Sequence, residues 1–308
     1  MGFIGILIQF TWVAVVLFEL TAAKVEFPIA LPNCATNCGD VEIPYPFGLR
    51  EGCYLNHYFS INCTTNSFGK TQPVKPDDFI ITNISLQGQI DMSMYIAQDC
   101  YDEQGVPDDN NSNSASLNLS SIFTVSNTQN KFVVVGCDTY AYLKGYQPND
   151  EQYSTGCRSQ CESTRYIVNG SCSGVACCEL DLPIGLRNIT ITSRSFDNHT
   201  KVRSFNPCGY AFIIKNGTFT FSVDSLRSLR DKKEMPMVFD WAIGNETCKD
   251  VENKSSYICG SNSKCIDSNN GSGYRCKCND GYHGNPYLPH GCQGIDLCIY
   301  IIFFLKKY

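Results

Sequence analysis

Cysteine is the residue type that dominates the chemistry of this chain. The 308 residues include 19 cysteines, and every one of them follows an apolar amino-terminal run that ends near Ala23. Cytosolic thiols are kept reduced, so this density indicates disulfide formation in an oxidising compartment. Because the number is odd, one thiol lacks a partner within the chain, and we expect that thiol to be Cys298.

Asparagine is the second residue type with predictable chemistry. The chain contains eleven Asn-x-Ser/Thr sequons, and in a secreted protein they predict a surface largely coated by glycan. Stretches without sequons, 34–56 and 125–168, therefore gain weight as binding surfaces. The predicted glycosylation sites are Asn62, Asn83, Asn110, Asn118, Asn169, Asn188, Asn198, Asn216, Asn245, Asn253 and Asn270.

Catalytic and metal-binding patterns are not evident in the sequence. The four histidines lie outside any triad context, and no motif places two carboxylates as a glycosidase would need. We therefore expect no catalytic residues, no metal site, no cofactor and no enzyme activity. The formal charge of −6 argues against a nucleic-acid partner.

The charge is unevenly distributed along the chain. Residues 187–233 contain nine basic and three acidic side chains. If these basic residues share one face, that face would attract an anionic partner despite the negative total. The alternative is that most of them form an ordinary solvated surface.

Short apolar runs separated by turn residues predict a mostly β protein. The stretches 188–192 and 218–223 alternate apolar and polar residues, as strands do. Asn216-Gly217 precedes the second stretch and predicts a hairpin turn. Residues 226–233 are expected to form one short helix.

Changes in composition divide the chain into segments. Residues 1–23 resemble a signal peptide, since the apolar run ends at Thr21-Ala22-Ala23. The polar stretch 102–121 is predicted to be a linker or loop, which places one boundary near Tyr101, and a second falls before Cys248. Residues 293–308 form a short apolar tail. Its nine apolar residues, 297–305, are fewer than the roughly 20 of a membrane-spanning helix, so we expect membrane association to be weak or lost.

Six cysteines fall within 248–292, with Cys276-x-Cys278 as the fourth and fifth and a Gly-Tyr pair after them, and this spacing resembles an EGF-like module. The resemblance implies the disulfides Cys248–Cys265, Cys259–Cys276 and Cys278–Cys292. So small a unit needs crosslinks in place of a large core. Its approach, Gly244 to Thr247, lacks the acidic run of calcium-binding members, so we do not favour calcium there.

Four stretches after the signal carry a second resemblance. They are Cys34 to Gly48 with its Ile43-Pro44-Tyr45-Pro46-Phe47-Gly48, Cys177-Cys178-Glu179-Leu180, Val238-Phe239-Asp240-Trp241 and Gly281-Tyr282-His283-Gly284-Asn285-Pro286-Tyr287. The first resembles the galacturonan-binding module of plant wall-associated receptor kinases, and the other three resemble further parts of the same extracellular region. The resemblance implies a cysteine-rich galacturonan-binding module over 24–101 and a second cysteine-rich β region over 122–247.

The family resemblance implies cell-wall pectin, chiefly oligogalacturonides, as the ligand. Aromatic rings stack on sugars, and arginine pairs with carboxylates. The expected contacts are Tyr45, Phe47, Arg50, Tyr54 and Tyr58. As an alternative for Tyr45 and Phe47, the two rings would instead fill a small core. Because basic residues are sparse between 24 and 100, residues from 187–233 would contribute to binding.

Two functions follow from the sequence, and neither is catalytic. The first is a pectin-binding ectodomain of a truncated wall-associated receptor, since no kinase motif is present. The second is a secreted decoy or co-receptor that binds a protein ligand. In both cases we expect the chain to lie outside the cell, in the wall or at the outer face of the plasma membrane.

Overall fold

The computed structural model describes residues 27–75, 79–147 and 151–294. The predicted signal peptide, Cys298 and all but the first two residues of the tail lie outside these ranges. Within them the chain is mostly β, as the short alternating runs predicted. The helices are α1 (Ser225–Ser228) and α2 (Cys248–Val251), and single 3-10 turns cover His57–Phe59, Thr164–Tyr166 and Leu229–Asp231.

Twenty strands are formed in the described ranges, and all named pairs are antiparallel. Their bounds are β1 (Asn37–Cys38), β2 (Val41–Glu42), β3 (Asn62–Thr65), β4 (Thr71–Val74), β5 (Ile81–Ser85), β6 (Gln89–Tyr95), β7 (Ala97–Cys100), β8 (Ala115–Leu117), β9 (Phe123–Val125), β10 (Asn130–Val135), β11 (Asp138–Tyr146), β12 (Gln152–Gln160), β13 (Cys177–Leu180), β14 (Arg187–Ser195), β15 (Cys208–Lys215), β16 (Glu234–Trp241), β17 (Ser263–Asp267), β18 (Tyr274–Cys278), β19 (Tyr282–Gly284) and β20 (Cys292–Gly294).

Three four-stranded sheets carry most of these strands. Their orders are β13-β10-β15-β7, β12-β11-β14-β8 and β5-β6-β16-β9, and the remaining strands form two-stranded hairpins. The first sheet is covered on both faces. Alternate residues of β10 and β15 enter two different core clusters, which explains the unbroken apolar run 132–135. A strand buried on both faces gains nothing from polar residues at alternate positions.

The larger core cluster joins segments that lie far apart in the sequence. Trp241 at the end of β16 is buried, and its ring lies 5.2 Å from Phe47, 6.0 Å from Phe59 and 5.3 Å from Tyr287. These edge-on and tilted contacts connect the amino-terminal segment with the EGF-like segment. The cores of the predicted modules are therefore continuous.

All eighteen cysteines of the described ranges are paired. Three disulfides are those that the EGF-like resemblance implied, Cys248–Cys265, Cys259–Cys276 and Cys278–Cys292. The pairing of the other twelve, which the spacing left open, is Cys34–Cys53, Cys38–Cys63, Cys100–Cys208, Cys137–Cys161, Cys157–Cys178 and Cys172–Cys177.

The predicted boundary near Tyr101 does not separate two folded units. β6 pairs with β16, β7 pairs with β15, and Cys100 is bonded to Cys208 on the facing strand. The predicted linker 102–121 also contributes β8, which pairs with β14. The segment bounds thus stay predictions about sequence modules, while the sheets combine strands from both sides of them. No helix in the described ranges is long and apolar enough to span a membrane.

Candidate functional site

The five predicted ligand contacts differ in accessibility. Phe47 is fully buried, with its ring edge-on to Phe59 and Trp241 at 5.2 Å each. A ligand cannot reach it, so the expected contact is corrected: Phe47 fills the core, as the alternative interpretation had it. A large ring is more stable there than in water by about 2 kcal/mol or more.

Tyr45 and Tyr54 are half-buried and pack against the same core. The backbone of Tyr45 is held on both sides, since its N–H donates to the Ile29 carbonyl at 2.8 Å and its carbonyl accepts from Asn285 Nδ2 at 2.7 Å. Burial raises the pKa of the Tyr45 hydroxyl. These two tyrosines therefore stabilise the fold, and only part of each ring is accessible to a ligand.

Arg50 is exposed and held in place by local contacts. Its guanidinium donates to the carbonyl of Asn33, and its Nε lies 3.4 Å from Cys53 Sγ. No acidic side chain of the described ranges forms an ion pair with it. Its positive charge therefore remains available to a carboxylate.

Tyr58 lies at the rim of a cavity of about 220 Å³. It belongs to the 3-10 turn His57–Phe59, whose amino end is capped by the Asn56 side chain accepting from the Tyr58 N–H. Its side chain is 38% exposed, and its ring centroid lies 3.9 Å from that of His57. The cavity is lined by His57, Tyr58, Lys75, Phe79, Met92, Leu117, Asn118, Leu119, Ser120 and Phe123.

Lys75 is the functional candidate that sequence reasoning missed. It follows β4, is only 9% exposed, and its Nζ donates to the carbonyls of Tyr58 at 2.6 Å and Ser60 at 3.0 Å. Nζ also lies 5.1 Å from the centroid of the Phe123 ring, within cation–π range. Burial lowers the pKa of Lys75 to about 8. The available signal was a lysine between Val74 and Pro76, directly after a strand whose last two residues are buried.

The cavity thus combines one cation with exposed and buried aromatic rings. This is the combination that an acidic sugar needs, since its ring faces are apolar and its carboxylate seeks a positive partner. The described ranges contain no group of three or more His, Cys, Asp or Glu side chains that could hold a metal ion.

Several basic residues of 187–233 lie beside acidic side chains. Lys215 pairs with Asp91 at 2.6 Å, and Lys201 pairs with Glu162 at 3.3 Å. Three arginines line one open groove together with Tyr101, but Asp102 and Glu103 line it as well. These arginines are Arg203, Arg227 and Arg230, of which Arg230 pairs with Asp108 at 3.0 Å. The alternative of a mostly solvated surface fits this distribution better.

Ten of the eleven predicted glycosylation sites are exposed asparagines, and Asn270 is the exception. Asn270 is 6% exposed, and its Nδ2 donates to the Val125 carbonyl at 2.9 Å and to Asp240 at 2.6 Å. Its Oδ1 accepts from the Gly185 N–H at 2.5 Å. A glycan on Nδ2 would displace these contacts, so the expectation for Asn270 is corrected in this fold.

In a comparison with known protein families, residues 34–97 match one family model, that of the wall-associated receptor kinase galacturonan-binding family. That range contains all five predicted contacts and Lys75. Similarity to individual relatives extends well beyond 34–97 and covers most of the chain.

Three relatives from Arabidopsis thaliana illustrate this similarity. Wall-associated receptor kinase 2 is 43% identical over 87% of this chain, wall-associated receptor kinase 5 is 39% identical over 86%, and wall-associated receptor kinase 1 is 37% identical over 86%. In each case the chain spans 35% of the relative's length. No solved structure matches the chain.

These matches agree with the nine disulfides in placing the chain outside the cell, at the cell wall. The chain is therefore similar, over most of its length, to the cysteine-rich extracellular part of wall-associated receptor kinases, and 34–97 is the part that matches their galacturonan-binding family model.

Proposed function

We propose that this chain is a non-catalytic binding protein for the acidic polysaccharide of the cell wall, pectin or its oligogalacturonides. The observation that carries the proposal is the family match over 34–97, because that range supplies Tyr58 and Lys75 to one cavity and the exposed Arg50 to the surface. The relatives' kinase activity is not part of this proposal, which concerns binding alone.

The physical basis is a division of roles among three side chains. The exposed ring of Tyr58 offers a face on which a sugar ring stacks. Lys75 supplies a fixed cation below it, since two backbone carbonyls hold its Nζ. Arg50 supplies a second cation on the surface, where it pairs with a carboxylate of the same polymer.

The pKa of Lys75 gives this binding a pH dependence. With a pKa of about 8, the amine is protonated at the acid to neutral pH of an extracellular wall. The contribution of Lys75 to binding is therefore complete well below pH 8 and is lost as the pH rises through about 8. A binding site built on Arg50 alone would keep its affinity across this range.

The test is retention on immobilised polygalacturonate, with elution by a salt gradient. We expect the natural chain to be retained at low salt and released at high salt. Lys75→Met is expected to elute at clearly lower salt at pH 6, whereas the matched control Lys70→Met, which removes an exposed lysine nearby, elutes as the natural chain does. Absence of retention at low salt would contradict the proposal and favour a protein ligand instead.

A further inference from the structure

The outer face of the sheet β12-β11-β14-β8 carries a row of aromatic side chains. Along β11, Ala141, Leu143 and Gly145 point inward and are buried. The alternate positions, Tyr140, Tyr142, Lys144 and Tyr146, point outward. Tyr142 is 48% exposed and Tyr146 is 43% exposed, so these rings are not part of the core.

Two arginines flank this row at its beginning. In the strand register, Tyr140 on the central strand lies opposite Arg158 of β12 on one side and opposite Arg194 of β14 on the other. Since adjacent strands are about 4.8 Å apart, the two arginine positions are about 10 Å apart across the tyrosine. We call Tyr140, Tyr142, Tyr146, Arg158 and Arg194 the tyrosine platform.

Small and hydroxyl side chains keep the platform open. Tyr142 lies opposite Gly156 and Thr192, and a Cβ on Gly156 would come within 2.8 Å of the Tyr142 ring. The ring therefore leans over the glycine and presents its other face outward. At the end of the row, the Tyr140 ring lies 4.7 Å from Phe196, which is 45% exposed.

The platform is positively charged. Lys144, Arg158 and Arg194 form no ion pair with an acidic side chain in the described ranges. Burial raises the pKa of Asp99 on β7 and the nearby charge of Arg194 opposes that rise, so one buried acid lies within electrostatic reach of the platform. The outward positions of the three long strands carry one acid, Asp138, which is 8% exposed. Its carboxylate is already engaged, since it accepts from Ser195 Oγ at 2.7 Å and from the N–H groups of Asp197 and His199.

Four of the five platform residues lie on a hairpin without predicted glycans. The β11–β12 hairpin falls between the sequons at Asn118 and Asn169, so neither of its strands carries one. The fifth, Arg194, lies on β14, which carries the predicted site Asn188. A group of partly exposed aromatic side chains away from the predicted glycans marks an interaction surface.

We infer that the tyrosine platform is a second binding site, outside the range matched by the family model, for a chain of acidic sugars. Tyr142 and Tyr146 stack on sugar rings, and Arg158 and Arg194 pair with carboxylates on either side of Tyr140. The inference rests on the proposed function for its ligand class. It adds a site that lets one polysaccharide chain engage the protein at two places.

The test compares two double variants with a matched control on polygalacturonate and on its neutral methyl ester. Tyr142→Thr with Tyr146→Thr removes the exposed rings and keeps good strand formers. Arg158→Gln with Arg194→Gln removes the charges. Arg165→Gln with Tyr166→Thr is the control, because it changes the same residue types on an exposed 3-10 turn away from the sheet.

We expect the arginine variant to bind polygalacturonate about tenfold more weakly and the methyl ester unchanged. The tyrosine variant should bind both polymers about tenfold more weakly, and the control should match the natural chain. Melting temperatures of all variants are compared first, so that loss of fold is recognised.

Two results would overturn the inference. If both platform variants bind polygalacturonate as the natural chain does while Lys75→Met loses binding, the platform is not a site and the proposed function stands. If the natural chain binds neither polymer, the platform and the proposed function fail together.

Discussion

At the scale of single residues, Lys75 is a buried cation whose acceptors are two backbone carbonyls. Its pKa falls from 10.5 to about 8 because burial disfavours the charged form. Between these values the unfolded state binds more protons than the folded state. The contribution of Lys75 to the free energy of unfolding therefore rises with pH from about 8 upward. At pH 10 it is about 2 kcal/mol larger than at pH 7.

Urea denaturation at pH 7 and pH 10 measures this effect. The difference in unfolding free energy between the natural chain and Lys75→Met should shift by about 2 kcal/mol toward the natural chain at pH 10. The same comparison with Lys70→Met, an exposed lysine, should show no shift. Equal differences at the two pH values for Lys75→Met would mean that the amine keeps an ordinary pKa.

At the scale of elements, Asn270 ties a loop of the EGF-like segment to β9, β16 and the turn at Gly185. We expect peptide mapping by mass spectrometry to find Asn270 without glycan. Asn270→Ala should lower the free energy of unfolding by about 3 kcal/mol, because it leaves buried backbone groups unpaired. Ser272→Ala destroys the same sequon and keeps the amide, so its stability should be unchanged. A glycan found on Asn270 of the folded protein would contradict this arrangement.

Asn270 also shows where sequence reasoning reaches its limit. The sequon rule recognises a tripeptide, and nothing in Asn270-Gly271-Ser272 reveals the acceptors Val125 and Asp240 far away in the chain. Phe47 presents the same difficulty. The local sequence of its Pro-rich turn does not distinguish a ring that packs against Trp241 from one that contacts a ligand. Local motifs identified the residue types correctly, while the long-range contacts decided their roles.

The strands show a similar pattern of success and failure. The alternation over 188–192 predicted β14, and 226–233 overlaps α1, which begins one residue earlier, and contains the following 3-10 turn. The expected hairpin at Asn216-Gly217 is wrong beyond its turn, because 218–223 forms no strand. Both edges of β15 are already occupied, by β10 and β7. Phe219 instead packs edge-on against Phe212 at 5.3 Å, and Phe221 is buried. The alternation over 218–223 therefore indicated which side chains pack against the core, and it did not indicate that the segment pairs as a strand.

At the scale of the whole molecule, the EGF-like segment is built into the rest of the fold. Asn285 is fully buried, and its Nδ2 donates to the carbonyls of Ile29 and Tyr45 at 2.7 Å each. Its neighbour Tyr287 packs on Trp241. A sequence divided into modules suggests separate unfolding steps, whereas this shared core predicts a single cooperative transition.

Thermal unfolding with the disulfides intact tests this prediction. Far-UV circular dichroism follows the strands, and tryptophan fluorescence follows the junction around Trp241. We expect the two curves to coincide in the natural chain. In Asn285→Ala they should coincide again at a lower melting temperature, since two buried carbonyls lose their donor at a cost of about 2 to 4 kcal/mol. The exposed amide variant Gln293→Ala should melt as the natural chain does. If Asn285→Ala shifted only the fluorescence curve, the EGF-like segment would unfold as an independent unit. Ligand binding at 34–97 would then not be coupled to that segment through the core.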